Sequence, residues 1–396
     1  MGRSERKKLI KKIEDQRGTK VITYITSDRP GAEHHMFYDV VPILHKHILA
    51  LNKEDDLKLD LFIYSLGGVS DVPWAIVSMF REYSKKGSFS VLIPYRAYSA
   101  ATMLALGADE IVMSKKAELG PIDITHEGPY NPRDPTNKPL PISVEDVNGY
   151  FSLLERTGCG RPDEKMKSFE LLTNHVHPLA LGKVNRSLEQ TKLVAERLLN
   201  TRSSPFTEEE NKSIVKRISS EIYSHSHSIN RTEALNYLGL KQVKTAEDEK
   251  IDKELWMLYE EYKELFKLEN PLRYEDYLLS NEKENHTWKD INMACIESCN
   301  RQDTLRKDFH VQKLRKVPPE INMNLNNLNI PPINILNLPD GITPEQINQL
   351  VINTTKTIIQ DSLNNTVPLA TKEIIKALPH AGFEKSSFNI KWVKEV

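Results

Sequence analysis

The stretch Leu59-Asp-Leu-Phe-Ile-Tyr-Ser-Leu-Gly67-Gly68 is an apolar run of the β type that ends in a diglycine turn. A second stretch, Val91-Leu-Ile-Pro-Tyr-Arg-Ala-Tyr-Ser99-Ala-Ala, repeats this order and continues into a helical segment. Parallel strands that are buried on both faces have such unbroken apolar runs. In open α/β sheets, ligands bind where these strands end, so both turns are expected at the ligand-binding edge. The sequence therefore predicts an α/β domain of repeated strand–turn–helix units.

The two turns carry complementary chemistry. A serine hydroxyl beside backbone N–H groups is the minimal arrangement for acyl transfer. Ser99 is the candidate nucleophile, and the N–H of Gly67 or Gly68, together with that of Ala100, is the candidate oxyanion hole. Glycine is required because a side chain would block the close approach of an acyl group. The simpler alternatives are a polar helix cap for Ser99, which serine favours, and an ordinary turn for the glycines.

Composition excludes several functional classes. A chain of 396 residues, 39% of them hydrophobic, is long enough for one large domain and an appendage. Its 54 basic and 55 acidic residues balance, so no nucleic-acid-binding or membrane-binding field is expected. No apolar run of about 18 residues is found, and the charged N-terminus resembles no signal peptide, so no membrane span is predicted.

Cysteine usage indicates a reducing, cytoplasmic environment. The three cysteines are too few for a disulfide framework. Cys295 and Cys299 are one helical turn apart, but no pair of zinc ligands follows them at the usual spacing. We expect neither a metal nor a cofactor.

The pattern along the chain divides it into three parts. Residues 1–18 form a charged helix that we expect at the periphery, and residues 19–245 form the α/β domain. A shift in composition near 245–250 marks an appendage over 246–396. The appendage is predicted to contain a helix at 251–268, a Pro- and Asn-rich linker at 317–341, a helix at 344–362 and a terminal strand at 388–393.

Five motifs carry a resemblance to a known family. The Gly67-Gly68 turn, the Ser99-Ala-Ala turn and the Leu119-Gly-Pro-Ile-Asp123 turn together resemble the Clp-protease/crotonase fold. Two later stretches begin at His177-Pro-Leu-Ala-Leu-Gly and at Tyr223-Ser-His225. With these, the chain is similar over about residues 19–245 to the serine dehydrogenase proteinase (SDH) family, which comprises Clp-fold serine peptidases related to signal peptide peptidase A.

The resemblance implies a serine endopeptidase that needs no cofactor. It further implies a protein or peptide substrate and a homo-oligomer whose site faces a shared interior or groove. Many family members have an N-terminal membrane anchor, and this sequence shows none, so a soluble member is expected. No P-loop motif is found, so ATP-driven unfolding of a substrate would require a partner.

The residue that accepts the proton of Ser99 stays open between histidines and lysines, the usual proton acceptors for a serine hydroxyl. His225 stands where the family has a histidine, and His227 shares its face if the segment is extended. Relatives in the wider clan use a Ser–Lys dyad, for which Lys183 or Lys138 is available.

Two further residues belong to the same hypothesis. His177, beside Pro178, would start a helix and is another possible base. Asp123 follows the third turn and would orient an imidazole in the manner of a triad acid, unless it is only a solvated turn carboxylate.

The function that this sequence indicates is a soluble serine peptidase that acts through an acyl-enzyme on Ser99. Two alternatives belong to other classes. A crotonase-type acyl-CoA enzyme shares the fold and the oxyanion hole but would need a glutamate at the site instead of Ser99. A catalytically silent Clp-like scaffold would bind peptides without cleaving them.

Overall fold

The computed structural model describes residues 2–51, 57–84, 88–122, 125–126, 128–134, 137–158, 161–222, 224, 227–315, 344–377 and 380–395. The chain divides into two compact units. The first contains Met1–Arg273, Lys289–Asp308 and Phe388–Val396, and the second contains Tyr274–Trp288 and Phe309–Ser387. The predicted linker at 317–341 lies outside the described residues.

The helices follow the chain in this order: α1 (Arg3–Arg17), α2 (Val40–Leu51), α3 (Val72–Tyr83), α4 (Ala100–Leu106), α5 (Val144–Arg156), α6 (Pro162–Thr173), α7 (Pro178–Asn200), α8 (Glu208–Lys216), α9 (Arg231–Asn236), α10 (Asp252–Phe266), α11 (Tyr274–Ser280) and α12 (Pro344–Ala377). A π-helical turn at Arg217–Glu221 follows α8. Within the described residues, no helix is both long enough and apolar enough to span a bilayer.

The strands are β1 (Lys20–Thr26), β2 (Leu59–Tyr64), β3 (Phe89–Ile93), β4 (Arg96–Ala97), β5 (Glu110–Met113), β6 (Glu118–Leu119), β7 (Thr125–His126), β8 (Ile142–Ser143), β9 (Ile229–Asn230), β10 (Val243–Thr245), β11 (Asn285–Ser298), β12 (Arg301–Arg315) and β13 (His380–Lys394). An eight-stranded sheet has the order β10-β5-β3-β2-β1-β11-β12-β13. Its strands β10, β5, β3, β2 and β1 are parallel, and β11 is antiparallel to β1.

Every residue of β2 and β3 is buried. Apart from Asp60 and Ser90, both strands are apolar without alternation, because a parallel strand in such a sheet is covered on both faces. The helices α3 and α4 follow β2 and β3 through the two turns that the sequence singled out. The predicted α/β class is therefore confirmed.

Helix α1 is not peripheral, so that expectation is wrong. Ile10 and Ile13 are fully buried in a core cluster that also contains Leu255 and Leu258 of α10. The charged Arg6 is buried as well, and its Nε donates a hydrogen bond to Glu297 at 2.6 Å. The helix looked peripheral because its inward-facing charges are neutralised by distant partners that no local pattern reveals.

The hairpin of β11 and β12 was not predicted. Its strands bury polar residues, among them Gln302, Asp303 and Thr304, so the apolar alternation that marks a strand is missing. Cys295 lies on β11 and not on a helix, although its spacing to Cys299 is that of a helical turn.

One polar cluster makes stability depend on pH. His47 of α2 is fully buried, with Nδ1 3.0 Å from Ser298 Oγ and Nε2 3.0 Å from Asp303 Oδ2. Arg301 donates to the same carboxylate at 2.5 Å. Burial lowers the pKa of His47 to about 4, although the neighbouring Asp303 carboxylate opposes the shift.

We expect acid to destabilise the protein through His47. The unfolded chain binds this proton with an ordinary pKa of about 6.5, whereas the folded chain binds it only near 4. The stability contributed by neutral His47 is therefore complete above about pH 6.5 and is lost as the pH falls towards 4. Chemical denaturation at several pH values should show a weaker pH dependence for His47→Gln than for the wild type. His35→Gln, at an exposed histidine, is the control. Equal pH slopes in all three proteins would contradict the expectation.

Candidate active site

Ser99 precedes helix α4 in a strained backbone conformation. Its φ of 50° and ψ of −115° lie in a region that non-glycine residues rarely adopt, and that costs of order 1–3 kcal/mol. Its side chain makes no capping hydrogen bond to the helix. The simpler explanation of a polar cap is therefore not supported by the geometry. The residue is half-buried on a sharp strand-to-helix turn, which is the local structure that presents nucleophiles in many hydrolases.

The diglycine turn lies directly against Ser99. A Cβ atom added to Gly67 would lie 2.6 Å from the Tyr98 carbonyl oxygen, 2.8 Å from Ser99 Cβ and 2.9 Å from the Ala100 nitrogen. Gly67 has a φ of 96°, which also favours glycine. The two predicted turns thus meet through a contact that only glycine permits.

The backbone N–H groups at this contact differ in whether they already donate a hydrogen bond. The Gly67 N–H donates to Ser65 Oγ at 3.1 Å. Among the described residues, the N–H groups of Gly68 and Ala100 have no hydrogen-bond acceptor. Gly68 is exposed and Ala100 follows Ser99 directly, so these two donors are the better placed of the three predicted for an oxyanion hole.

A short three-stranded sheet continues from the strand that precedes Ser99. In this sheet β4 pairs with β6, and β6 pairs with β9. Extending the register by one residue places Tyr98 level with Ser228, and Tyr98 Oη lies 2.9 Å from Ser228 Oγ. The strand β9, which follows the predicted histidines in the chain, thus lies two strands from β4, which precedes Ser99.

Hydrogen bonds hold the described residues of this histidine segment. The His227 N–H donates to the Ser224 carbonyl at 3.0 Å. His227 Nε2 lies 2.9 Å from Glu233 Oε1, and the amide of Glu233 is in turn capped by Asn230. His225 lies outside the described residues.

Asp123 also lies outside the described residues, but the turn before it is well defined. Thr102 of α4 donates to the Gly120 carbonyl at 2.9 Å and accepts from the Gly120 N–H at 3.0 Å. The Ile122 N–H donates to Ile218 at 3.1 Å. These bonds hold the third predicted turn against the helix that begins after Ser99.

The remaining candidate bases differ in their surroundings. His177 is the N-cap of α7, where its Nδ1 accepts from the Leu179 N–H, and its ring stacks on Tyr130 at 4.8 Å. Lys138 is exposed on a loop. Lys183 is half-buried on α7 and has no hydrogen bond or ion pair with a described residue. The structure shows no hydrogen bond between any of the three and the described part of the Ser99 turn.

Charged side chains lie near the strand that precedes Ser99, and the sequence analysis did not predict them. Arg96 lies 3.6 Å from Asp28 and 3.7 Å from Glu118. Tyr98 Oη donates to Glu118 at 2.6 Å, and burial together with this bond raises the pKa of Tyr98. The phenol next to Ser99 therefore stays protonated and is no proton acceptor. The position of Arg96 on the strand before Ser99 could have indicated this charged cluster from the sequence.

Comparisons with known proteins agree with this architecture. Residues 2–130 match the family model described as ClpP-like SDH-type serine proteinase. The resemblance and the fold class inferred from the motifs are thereby confirmed over this part of the chain, and the motifs after residue 130 lie outside the matched range.

Two relatives come from Methanocaldococcus jannaschii, and both are uncharacterised proteins. MJ1495 is 33% identical over 129 residues, which is 30% of this chain and 41% of the relative. MJ0137 is 23% identical over 283 residues, which is 70% of this chain and 85% of the relative. The match with MJ1495 thus spans about two fifths of that protein.

A solved structure of the 1510-N membrane-bound stomatin-specific protease in complex with a substrate peptide is also similar. Its TM-score is 0.32 at 13% sequence identity, and the similarity covers 57% of this chain and 75% of that chain.

We expect Gly67→Ala to disrupt the contact between the two turns. The added methyl group would overlap the backbone of Tyr98 and Ala100, and φ would be unfavourable, so the free energy of unfolding should fall by roughly 1–3 kcal/mol. Gly149→Ala in α5 is the matched control, because a Cβ there meets nothing within 4 Å. It should stabilise the helix by about 0.5–1 kcal/mol. Urea denaturation measures both changes, and an unchanged Gly67→Ala protein would refute the packing argument.

Proposed function

We propose that this protein is a serine endopeptidase that cleaves peptide bonds through an acyl-enzyme on Ser99. The observation that carries the proposal is the direct contact between the diglycine turn and the strained Ser99 turn. It brings the turn that carries the Ser99 hydroxyl group and the Ala100 N–H directly against the turn that carries the Gly68 N–H. The match of residues 2–130 to a family of serine proteinases supports the same chemistry.

The proposed reaction begins with attack of Ser99 Oγ on the carbonyl carbon of the substrate. The hydroxyl proton passes to a neighbouring base, and the carbonyl oxygen becomes an oxyanion. We propose that the N–H groups of Gly68 and Ala100 stabilise this oxyanion, and that Gly67 allows the two turns to approach. One such donor typically lowers the barrier by about 2.7–4 kcal/mol.

Collapse of the tetrahedral intermediate breaks the C–N bond, and the protonated base returns its proton to the leaving amine. Water then attacks the ester on Ser99 while the base takes one of its protons. The C–O bond breaks, the acid product leaves and Ser99 regains its hydrogen. All steps use groups of this chain and water, so the proposal needs no cofactor.

We propose that the base is one of the two histidines His225 and His227. The pairing of β4, β6 and β9 supports this assignment, because β9 follows these histidines in the chain and lies two strands from β4, which precedes Ser99. For His227, Glu233 would be the orienting carboxylate, since it already contacts Nε2. For His225, which the sequence favours, Asp123 keeps that role as a proposal. A half-buried Lys183 remains the alternative of a Ser–Lys dyad.

The proposal also concerns the cellular environment and the oligomeric state of the protein. Cys295 and Cys299 are free thiols, as a reducing cytoplasmic environment requires. A homo-oligomer with the site facing a shared interior or groove is implied by the resemblance and is proposed with it.

Labelling with a fluorophosphonate probe tests the nucleophile. The wild type should become covalently modified on Ser99, as mapped by intact-mass analysis and peptide sequencing, and Ser99→Ala should not react. Ser70→Ala, beside the diglycine turn, is the control and should label like the wild type. Labelling that survives Ser99→Ala would place the nucleophile elsewhere. A wild type that never reacts would favour the crotonase-type or scaffold alternatives.

Comparison of variants tests the base. Replacing both His225 and His227 by alanine should lower kcat by about 10²–10⁴-fold, the usual contribution of a general base. Lys183→Ala should keep most of the activity, and the single histidine variants then assign the role. Activity that survives the double variant but is lost in Lys183→Ala would overturn the histidine assignment in favour of the dyad.

A further inference from the structure

Ser65 joins the two turns at a fully buried position. Its Oγ accepts hydrogen bonds from the Gly67 N–H at 3.1 Å and from Thr26 Oγ1 at 2.9 Å. Its backbone N–H donates to the Arg96 carbonyl at 3.0 Å, and its carbonyl accepts from the Tyr98 N–H at 3.0 Å. One residue therefore holds the diglycine turn with its side chain and the strand before Ser99 with its backbone.

The diglycine turn needs such an anchor because of its own composition. Glycine permits the contact with Ser99, but it also leaves the turn free to adopt many backbone conformations. The Gly67 N–H is buried in the contact, and a buried N–H without an acceptor is destabilising. The hydroxyl of Ser65 satisfies this group and fixes the peptide plane that precedes Gly67. Rotation about Gly67 would otherwise redirect the next amide, which is the N–H of Gly68.

Thr26 supports the anchor from the neighbouring strand. It is buried at the end of β1, and its hydroxyl donates to Ser65 Oγ, so the position of that oxygen is fixed from a second direction. The hydroxyl chain from Thr26 through Ser65 to Gly67 runs entirely inside the protein. It has no role in the proposed chemical steps.

We propose that Ser65, supported by Thr26, is a positioning residue that aims the Gly68 N–H at the oxyanion. The inference rests on the proposed function, because it assigns a task to that site. It differs from a purely structural role in that it affects the transition state more than the binding of substrate.

Steady-state kinetics on a peptide substrate of the wild type and three variants test the inference. Ser65→Ala should lower kcat by about 10- to 100-fold, as expected for a misplaced catalytic group, while KM changes by less than about threefold. The second-order rate of fluorophosphonate labelling at Ser99 should fall in parallel. Thr26→Val, which keeps the Gly67 bond, should show a smaller loss. Adding Thr26→Val to Ser65→Ala should not lower kcat further, because the hydroxyl chain from Thr26 to Gly67 is already broken without Ser65.

Ser84→Ala is the matched control. Ser84 is also a buried serine, but its hydroxyl donates to the Phe80 carbonyl at the end of α3. Both serine variants should lower the melting temperature, whereas only Ser65→Ala should slow labelling. Hydrogen exchange of the Gly67 amide should become faster in Ser65→Ala and not in Ser84→Ala.

The outcomes separate the two proposals. A wild type that reacts at Ser99 while Ser65→Ala reacts equally fast overturns the inference and leaves the serine peptidase in place. A wild type that does not react at Ser99 overturns both. If Ser65→Ala does not fold, Thr26→Val tests the inference instead. Unchanged kcat and an unchanged labelling rate in that variant would contradict a role for the hydroxyl chain from Thr26 through Ser65 to Gly67.

Discussion

The close approach of Gly67 to the Ser99 turn is the contact on which the site depends. Two strand-ending turns can share one point only if the backbone of one touches the backbone of the other, and any Cβ at Gly67 would prevent this. The sheet supplies the alignment, since β2 and β3 are neighbouring parallel strands whose ends lie on the same edge. The contact and the strained φ of Ser99 are thus a local consequence of the strand order.

At the other end of these strands, their amino ends, a buried arginine links the strands through hydrogen bonds and ion pairs. Arg17 of α1 donates to Asp60 on β2 at 2.5 Å and to Glu110 on β5 at 3.0 Å, and it contacts Ser90 on β3 at 3.3 Å. One buried guanidinium therefore links the amino ends of three adjacent strands. Removing one partner of such a pair is costly because the other charge remains buried without compensation. A rigid amino edge keeps the carboxyl ends, where the turns lie, in fixed register.

The sequence was informative wherever the structure is determined by local pattern. The apolar runs of β2 and β3, the helix after Ser99 and the diglycine turn were all evident, since each depends on residues that are close in the chain. The hairpin of β11 and β12 was missed because its buried positions include polar residues such as Asp303, which contacts the distant His47 of α2. The inward-facing side of α1 was missed for the same reason.

By itself, the sequence determined the parallel strands, the glycine turn, the serine turn and the family resemblance over this region. Only the tertiary structure decided which N–H groups are left to bind an oxyanion. The Gly67 N–H already donates to the hydroxyl of Ser65, and no periodic pattern in the sequence indicates this hydrogen bond. It also decided that β9, the strand after the predicted histidines, lies two strands from β4. Strand pairing between distant segments is set by packing of the whole domain, and a linear pattern cannot contain it.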